Sequence, residues 1–241
     1  MNFLRGKILD FVYPRVCQLC SKKVDRNEGN LCSNCLMRVP FLPVKGCCAV
    51  CSKPVEGFEG SYVCDQCDGK DKPFFDKAVQ AVSFIGSTRR MILDYKFKNK
   101  YYLAVDFAEW MQAVARARMN VDEIDVVLPI PLKRGTSYER DYNQAELVAK
   151  LISKAFDRKF CDALVRVGKP QRQSSLGKRE RIDNVVGTFS VAKPSYIRGR
   201  TVLLVDDIMT TGATFSEASR VLKMAGAWRV WALSIARSMR N

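Results

Sequence analysis

Apolar and polar positions change their period several times along this chain, and the changes mark out elements. Ala78 to Ile85, Asp125 to Ile130, Val202 to Val205 and Arg229 to Ala236 are short, largely apolar runs of the kind that form buried strands. Ser87 to Lys98, Tyr102 to Ala117 and Phe215 to Ala225 carry apolar residues at helical spacing. A further helix is predicted to start near Asn143, with Leu147, Val148, Leu151 and Ile152 on one face. Two shorter strands are expected near Ala163 to Val167 and Gly187 to Val191. Strands that alternate with helices predict an α/β domain built on a mainly parallel, doubly wound sheet.

The first 75 residues show neither period. Phe3, Leu4, Ile8 and Phe11 outline one face of a short amphipathic helix within Met1 to Tyr13, expected to dock on the main domain. Arg5, Lys7 and Asp10 interrupt that stretch, which excludes a signal peptide or a span there. Apolar runs elsewhere are also too short to cross a bilayer, so a cytoplasmic protein without membrane insertion is expected.

Nine of the ten cysteines lie in this first segment, and eight form pairs: Cys17 with Cys20, Cys32 with Cys35, Cys48 with Cys51, and Cys64 with Cys67. Each two-residue gap lets a tight turn aim both thiolates at one ion, and four thiolates close a tetrahedral zinc shell. The spacer is eleven residues between the first two pairs and twelve between the last two, a near-repeat that predicts two consecutive zinc ribbons. A crossed arrangement, first pair with third and second with fourth, has the same composition. Cys47 is a spare thiol or a replacement for Cys48 in a shifted site. In a reducing compartment such pairs mean two structural zinc ions rather than disulfides. A boundary near Lys72-Pro73 then divides the chain into a module at 1–75 and an α/β domain at 76–241.

Metal alters the charge map. The chain is formally +15, and residues 1–75 carry 11 Lys+Arg against 8 Asp+Glu. Eight thiolates and two Zn²⁺ ions make that module slightly negative, so the basic excess belongs to residues 76–241. The absence of histidine removes the commonest general base and the usual ligand of catalytic zinc.

The chemistry concentrates in Val202 to Thr214. Four apolar residues run into adjacent carboxylates, Asp206 and Asp207, and then into Thr210-Thr211-Gly212-Ala213-Thr214 where a helix begins. The first amides of a helix and its dipole attract anions, and hydroxyls add donors. A phosphate in the turn and a neighbouring diol on the two carboxylates would fit. The plain alternative is a buried strand followed by a capped helix.

This run resembles the phosphoribosyl-pyrophosphate (PRPP) loop of type I phosphoribosyltransferases. The resemblance implies PRPP binding assisted by Mg²⁺, with the acidic pair on the ribose hydroxyls and the turn on the 5′-phosphate. It also implies that Leu128 to Arg134 meets the diphosphate, with Lys133 and Arg134 as nearby cations, and that basic Arg166 to Arg181 is a closing loop. Lys96-Phe97-Lys98, Arg140 to Ala145 and Gln173 to Asn184, taken with the cysteine module, resemble the ComF (GntX-like) family over nearly the whole chain. Asp141-Tyr142 and Ser174-Ser175 depart mildly from its usual pattern. That family implies a competence protein handling single-stranded DNA during uptake, alongside other DNA-uptake proteins. A nucleotide-salvage phosphoribosyltransferase and a PRPP-sensing regulator are the competing readings. The acceptor of any transfer is not written in the sequence.

The residues themselves offer a nucleic-acid surface. Arg89, Arg90, Lys96, Lys98 and Lys100 interleave with Tyr95, Phe97, Tyr101 and Tyr102, a pattern in which cations track phosphates and rings stack bases. Arg172, Lys178, Arg179 and Arg181 extend the candidate contacts. The competing picture is an amphipathic helix with its rings in the core and a solvated basic face.

Overall fold

The computed structural model describes residues 15–24, 29–55, 57, 60, 62–132, 142–167 and 185–238. The proposed amino-terminal helix therefore lies outside the described residues. So do Lys133, Arg134, Arg172, Lys178, Arg179 and Arg181, and the segments 133–141 and 168–184 as a whole.

Five strands form a parallel sheet: β1 (Lys77–Ser83), β2 (Val126–Pro129), β3 (Lys159–Phe160), β6 (Thr201–Met209) and β7 (Arg229–Arg237), in the order β1-β7-β6-β2-β3. The apolar runs explain the centre. Val202, Leu203, Leu204 and Val205 are all fully buried, with β2 on one side and β7 on the other. Successive side chains of a strand leave opposite faces. Leu203, Val205, Leu233 and Ile235 thus join one core with α3 (Gly86–Phe97), α4 (Ala104–Arg118) and α5 (Gln144–Ala155). Val202, Leu204, Val230 and Ala232 join the other core with α6 (Ala213–Met224).

Two expectations need correction. The strand read near Ala163 to Val167 is β4 (Leu164–Arg166), and it does not enter the main sheet. It pairs antiparallel with β5 (Phe189–Val191) in a separate two-stranded ribbon. The buried stripe of α5 is also turned from the expected face: Ala145, Val148, Ala149 and Ile152 are buried, while Leu147 and Leu151 are only partly so. Elsewhere the differences are at element ends. The Thr88 hydroxyl lies 2.6 Å from the Ser83 carbonyl and 2.7 Å from that of Ile85, tying the end of β1 (Ser83) to the first turn of α3 (from Gly86).

The cysteine-rich segment packs into the same two cores. Cys17, Val24, Leu31 and Val39 belong to the first, and Cys48, Cys51, Cys67 and Phe75 to the second, so the two halves of the module sit on opposite faces of the sheet. Its two short helices, α1 (Ser33–Leu36) and α2 (Asp65–Asp68), each follow a cysteine, Cys32 and Cys64. Between the halves, residues 40–42 run along β1, with Leu42 N–H donating to Ala81 (2.9 Å) and Ser83 N–H to Pro40 (2.9 Å).

Candidate functional site

The eight paired cysteines gather into two tetrads, Cys17, Cys20, Cys32, Cys35 and Cys48, Cys51, Cys64, Cys67, with the sulfurs of each within 4.8 Å of one another. The consecutive arrangement is the one present, and the crossed one is not. A tetrahedral zinc shell with bonds of about 2.3 Å sets neighbouring sulfurs roughly 3.8 Å apart. Cys20 to Cys32 and Cys51 to Cys64 are both 3.7 Å. The amides of Cys51 (3.5 Å) and Cys64 (3.4 Å) donate to the Cys48 sulfur, as thiolate ligands require. Both tetrads fit structural zinc. Cys47 stands apart, its thiol directed at the Pro43 carbonyl at 3.3 Å.

The second tetrad lies beside the turn that follows β6. On α2, between ligands Cys64 and Cys67, Gln66 Nε2 donates to the Thr211 carbonyl at 3.0 Å. The Phe74 amide donates to Ser216 Oγ on α6 at 3.1 Å. Gly212 forms the corner with φ +83°, and a Cβ there would sit 2.8 Å from Met209 Cε and 3.6 Å from the Phe75 ring. Thr211 Oγ1 accepts from the Ala213 amide at 3.3 Å. The remaining first-turn amides of α6 have no intrahelical acceptor, so the turn presents N–H groups outward. Nothing in the cysteine spacing signals that Gln66 meets this turn.

Asp206 and Asp207 are the sixth and seventh of the nine residues of β6, and alternation aims them to different sides. Lys96, near the end of α3, places Nζ 2.8 Å from Asp207 Oδ1, and both side chains are largely covered, at 15% and 13% exposed. Asp206 accepts the Asp207 amide at 2.8 Å. Burial and the charge of Asp207 push the Asp206 carboxyl up to about 7, against the pull of Lys96 and Arg166. Arg166 comes from β4, lies over the Phe189 ring at 4.6 Å, and donates from Nε to the Pro131 carbonyl at 3.4 Å. Burial lowers its pKa and the nearby Asp206 raises it. Two carboxylates offering acceptors to paired hydroxyls, next to an anion-binding turn, suit a sugar phosphate.

The cationic stretch of α3 and its sequel divides in two. Tyr95 is fully buried, its hydroxyl donating to the Gln144 carbonyl at 2.8 Å. Phe97, Tyr101 and Tyr102 are exposed, at 56%, 62% and 39%. Lys98 and Lys100 both pair with Asp94, at 2.8 and 3.0 Å, and Lys98 remains 67% exposed. Arg89 and Arg90 lie on the solvent side of α3. Lys96 is thus set apart from its neighbours, inside the crevice with the acids.

Comparison with known proteins agrees with this construction. Residues 8–68 match the double zinc ribbon domain, and residues 143–239 match the phosphoribosyl transferase domain. Competence protein F of Haemophilus influenzae is 27% identical over 229 residues, covering 92% of this chain and 96% of that protein. The DNA utilization protein YhgH of Escherichia coli K12 is 24% identical, covering 91% and 96%. Competence protein ComFC of Bacillus subtilis is 24% identical, covering 88% and 79%. No helix among the described residues is long and apolar enough to cross a membrane.

Proposed function

We propose that this chain is a ComF-type protein, a double zinc ribbon joined to a phosphoribosyltransferase domain, and that it serves DNA uptake in competence by handling single-stranded DNA while binding PRPP. The observation that carries the ligand is the carboxylate pair at the end of β6 running directly into the Gly212 turn. The 5′-phosphate sits on the turn amides and the hydroxyls of Thr210, Thr211 and Thr214, and the ribose diol bonds to Asp206 and Asp207. Mg²⁺ accompanies the diphosphate and neutralises part of its charge. Lys133 and Arg134 follow Pro129, the last residue of β2, by four and five positions in the sequence, in the stretch where the resemblance sets the diphosphate.

Single-stranded DNA lies along the exposed rings of Phe97, Tyr101 and Tyr102, with Arg89, Arg90, Lys98 and Lys100 on its phosphates and Arg172, Lys178, Arg179 and Arg181 as further contacts. The exposure of three rings supports this reading, because rings buried in the core could not stack bases. The protein works in the cytoplasm beside other DNA-uptake proteins. The reading needs binding and no transfer step.

Fluorescence anisotropy of a single-stranded oligonucleotide, with and without Mg²⁺ and PRPP across a salt series, tests it. Affinity should fall steeply with salt and should change on adding PRPP. Absence of DNA binding at low salt would remove the DNA role. Calorimetry that detects no PRPP binding would remove the ligand.

A further inference from the structure

We infer that Lys96 is the lysine that receives the diphosphate of the bound ligand, and that its ion pair with Asp207 is the resting contact of that site. The inference rests on the PRPP reading above and adds a residue that lies outside the acidic loop.

Three observations place Lys96. Its ammonium is 2.8 Å from Asp207 in a largely covered position. Its own carbonyl accepts from Gln144 Nε2 at 3.1 Å, at the start of α5. The preceding residue is fastened to the same place, with Tyr95 bonded to the Gln144 carbonyl and the Tyr142 hydroxyl bonded to the Tyr95 carbonyl. Next to Gln144, Asn143 reaches the Ile130 carbonyl at 3.4 Å, and Ile130 is bonded to Val205 at 2.8 Å. Lys96 is therefore held above the gap between the ends of β2 and β6.

The ligand's two charged ends leave little choice of partner. Its single phosphate belongs to the Gly212 turn, on the α6 side of the sheet, and its diol to the carboxylates. The more highly charged end must then extend toward the end of β2, on the side that α3 and α5 cover. On the side that α3 and α5 cover, Lys96 is the largely covered cation among the described residues, since Lys98 and Lys100 turn to Asp94 and Arg166, though bonded to the Pro131 carbonyl, stacks on Phe189 of the α6-side core. In that pairing it neutralises Asp207 beside the partly covered Asp206. When a diphosphate enters, the ammonium exchanges one anion for a stronger one and frees an Asp207 oxygen for the ribose.

Calorimetry of Lys96→Met and Lys96→Arg, titrated with Mg²⁺–PRPP and separately with ribose 5-phosphate, tests this. Ribose 5-phosphate carries the phosphate and the diol but no diphosphate. Lys96→Met should lose roughly tenfold or more in PRPP affinity, the effect of one charge-assisted hydrogen bond. Its ribose 5-phosphate affinity should stay within about twofold of the wild type or improve. Lys96→Arg should retain most of the PRPP affinity, and its fold is the safer of the two because the charge on Asp207 stays paired. Equal losses for both ligands would overturn the inference by placing Lys96 at the diol. Unchanged PRPP binding by a folded Lys96→Met would overturn it outright. A wild-type protein that binds neither compound would overturn the PRPP reading itself, a distinct result.

Discussion

Arg237, the last residue of β7, bonds through Nη1 to the carbonyl of Cys51 at 2.7 Å and brings Nη2 to 3.8 Å from the Cys51 sulfur. The guanidinium is buried, and its positive charge stands against the second tetrad. A four-thiolate zinc centre carries two net negative charges, so a buried arginine beside it is electrostatically matched. The hydrogen bond with Cys67 lowers the Cys51 thiol most, and against the opposing effect of burial the same guanidinium lowers it further, to about 5.

Metal loss should therefore be felt beyond the ribbon. Carefully reduced, unchelated protein is expected to contain two zinc ions per chain. Chelation should lower the melting temperature of the whole chain, because Cys48, Cys51 and Cys67 line the same core as β6 and α6. Metal analysis and scanning calorimetry with and without chelator check this. An α/β transition that chelator leaves in place would mean the ribbon is packed on but not coupled.

The acidic pair makes a prediction with a sign. Asp206 rises from an ordinary 3.8 to about 7, so between those values the folded protein holds more protons than the unfolded chain. Stability should then fall as pH rises through that window and level off above it. Asp206→Asn should flatten this dependence and raise stability at pH 8, by on the order of 1 kcal/mol or more. The same change should weaken PRPP binding by about 1.5–3 kcal/mol through loss of a charge-assisted bond, as should Asp207→Asn. Paired melting curves and titrations would show one property gained and the other lost. If Asp206→Asn instead destabilises the protein at pH 8, the carboxyl is needed for the fold.

Gly212→Ala should cost about 1–2 kcal/mol of stability from its left-handed backbone alone. It should also weaken phosphate binding, because the new methyl crowds Met209 and shifts the turn. Inorganic phosphate serves as the probe in a melting-shift assay. A full phosphate shift in the variant would place the anion elsewhere.

For DNA, the exposed rings are the safer test, since removing Lys98 or Lys100 disturbs Asp94. Phe97→Ala and Tyr101→Ala should each weaken single-strand binding by about 1–3 kcal/mol with little change in salt dependence. Lys98→Ala should instead lower the log–log salt slope by about 0.7. Wild-type affinity in the double aromatic variant would mean the strand follows another path.

What the sequence made legible was local. Val202 to Thr214 reads as strand, acids and turn because its neighbours in sequence are also its neighbours in space. The cysteine tetrads follow from short spacers for the same reason. In sequence Lys96 groups with Lys98 and Lys100, because nothing near it in the chain announces Asp207. β3 is only two residues long and gives no periodic signal, and the pairing of β4 with β5 joins segments separated by a long charged stretch. The contacts between module and domain, Gln66 with Thr211 and Cys51 with Arg237, are between residues whose types alone imply no partner.

The strip at residues 40–42 has a consequence for any shortened form of the protein. β1 is an outer strand, yet its free side is occupied: Leu42 and Pro40 bond to Ala81 and Ser83, and farther along Val50 and Ser52 bond to Ala78 at 2.6 Å each. A chain cut at residue 76 would expose seven residues of strand with open backbone donors and acceptors, most of them with buried, apolar neighbours. Such an edge invites pairing with another copy. The fragment should associate into dimers or larger species as its concentration rises, while the intact chain keeps that edge closed from within.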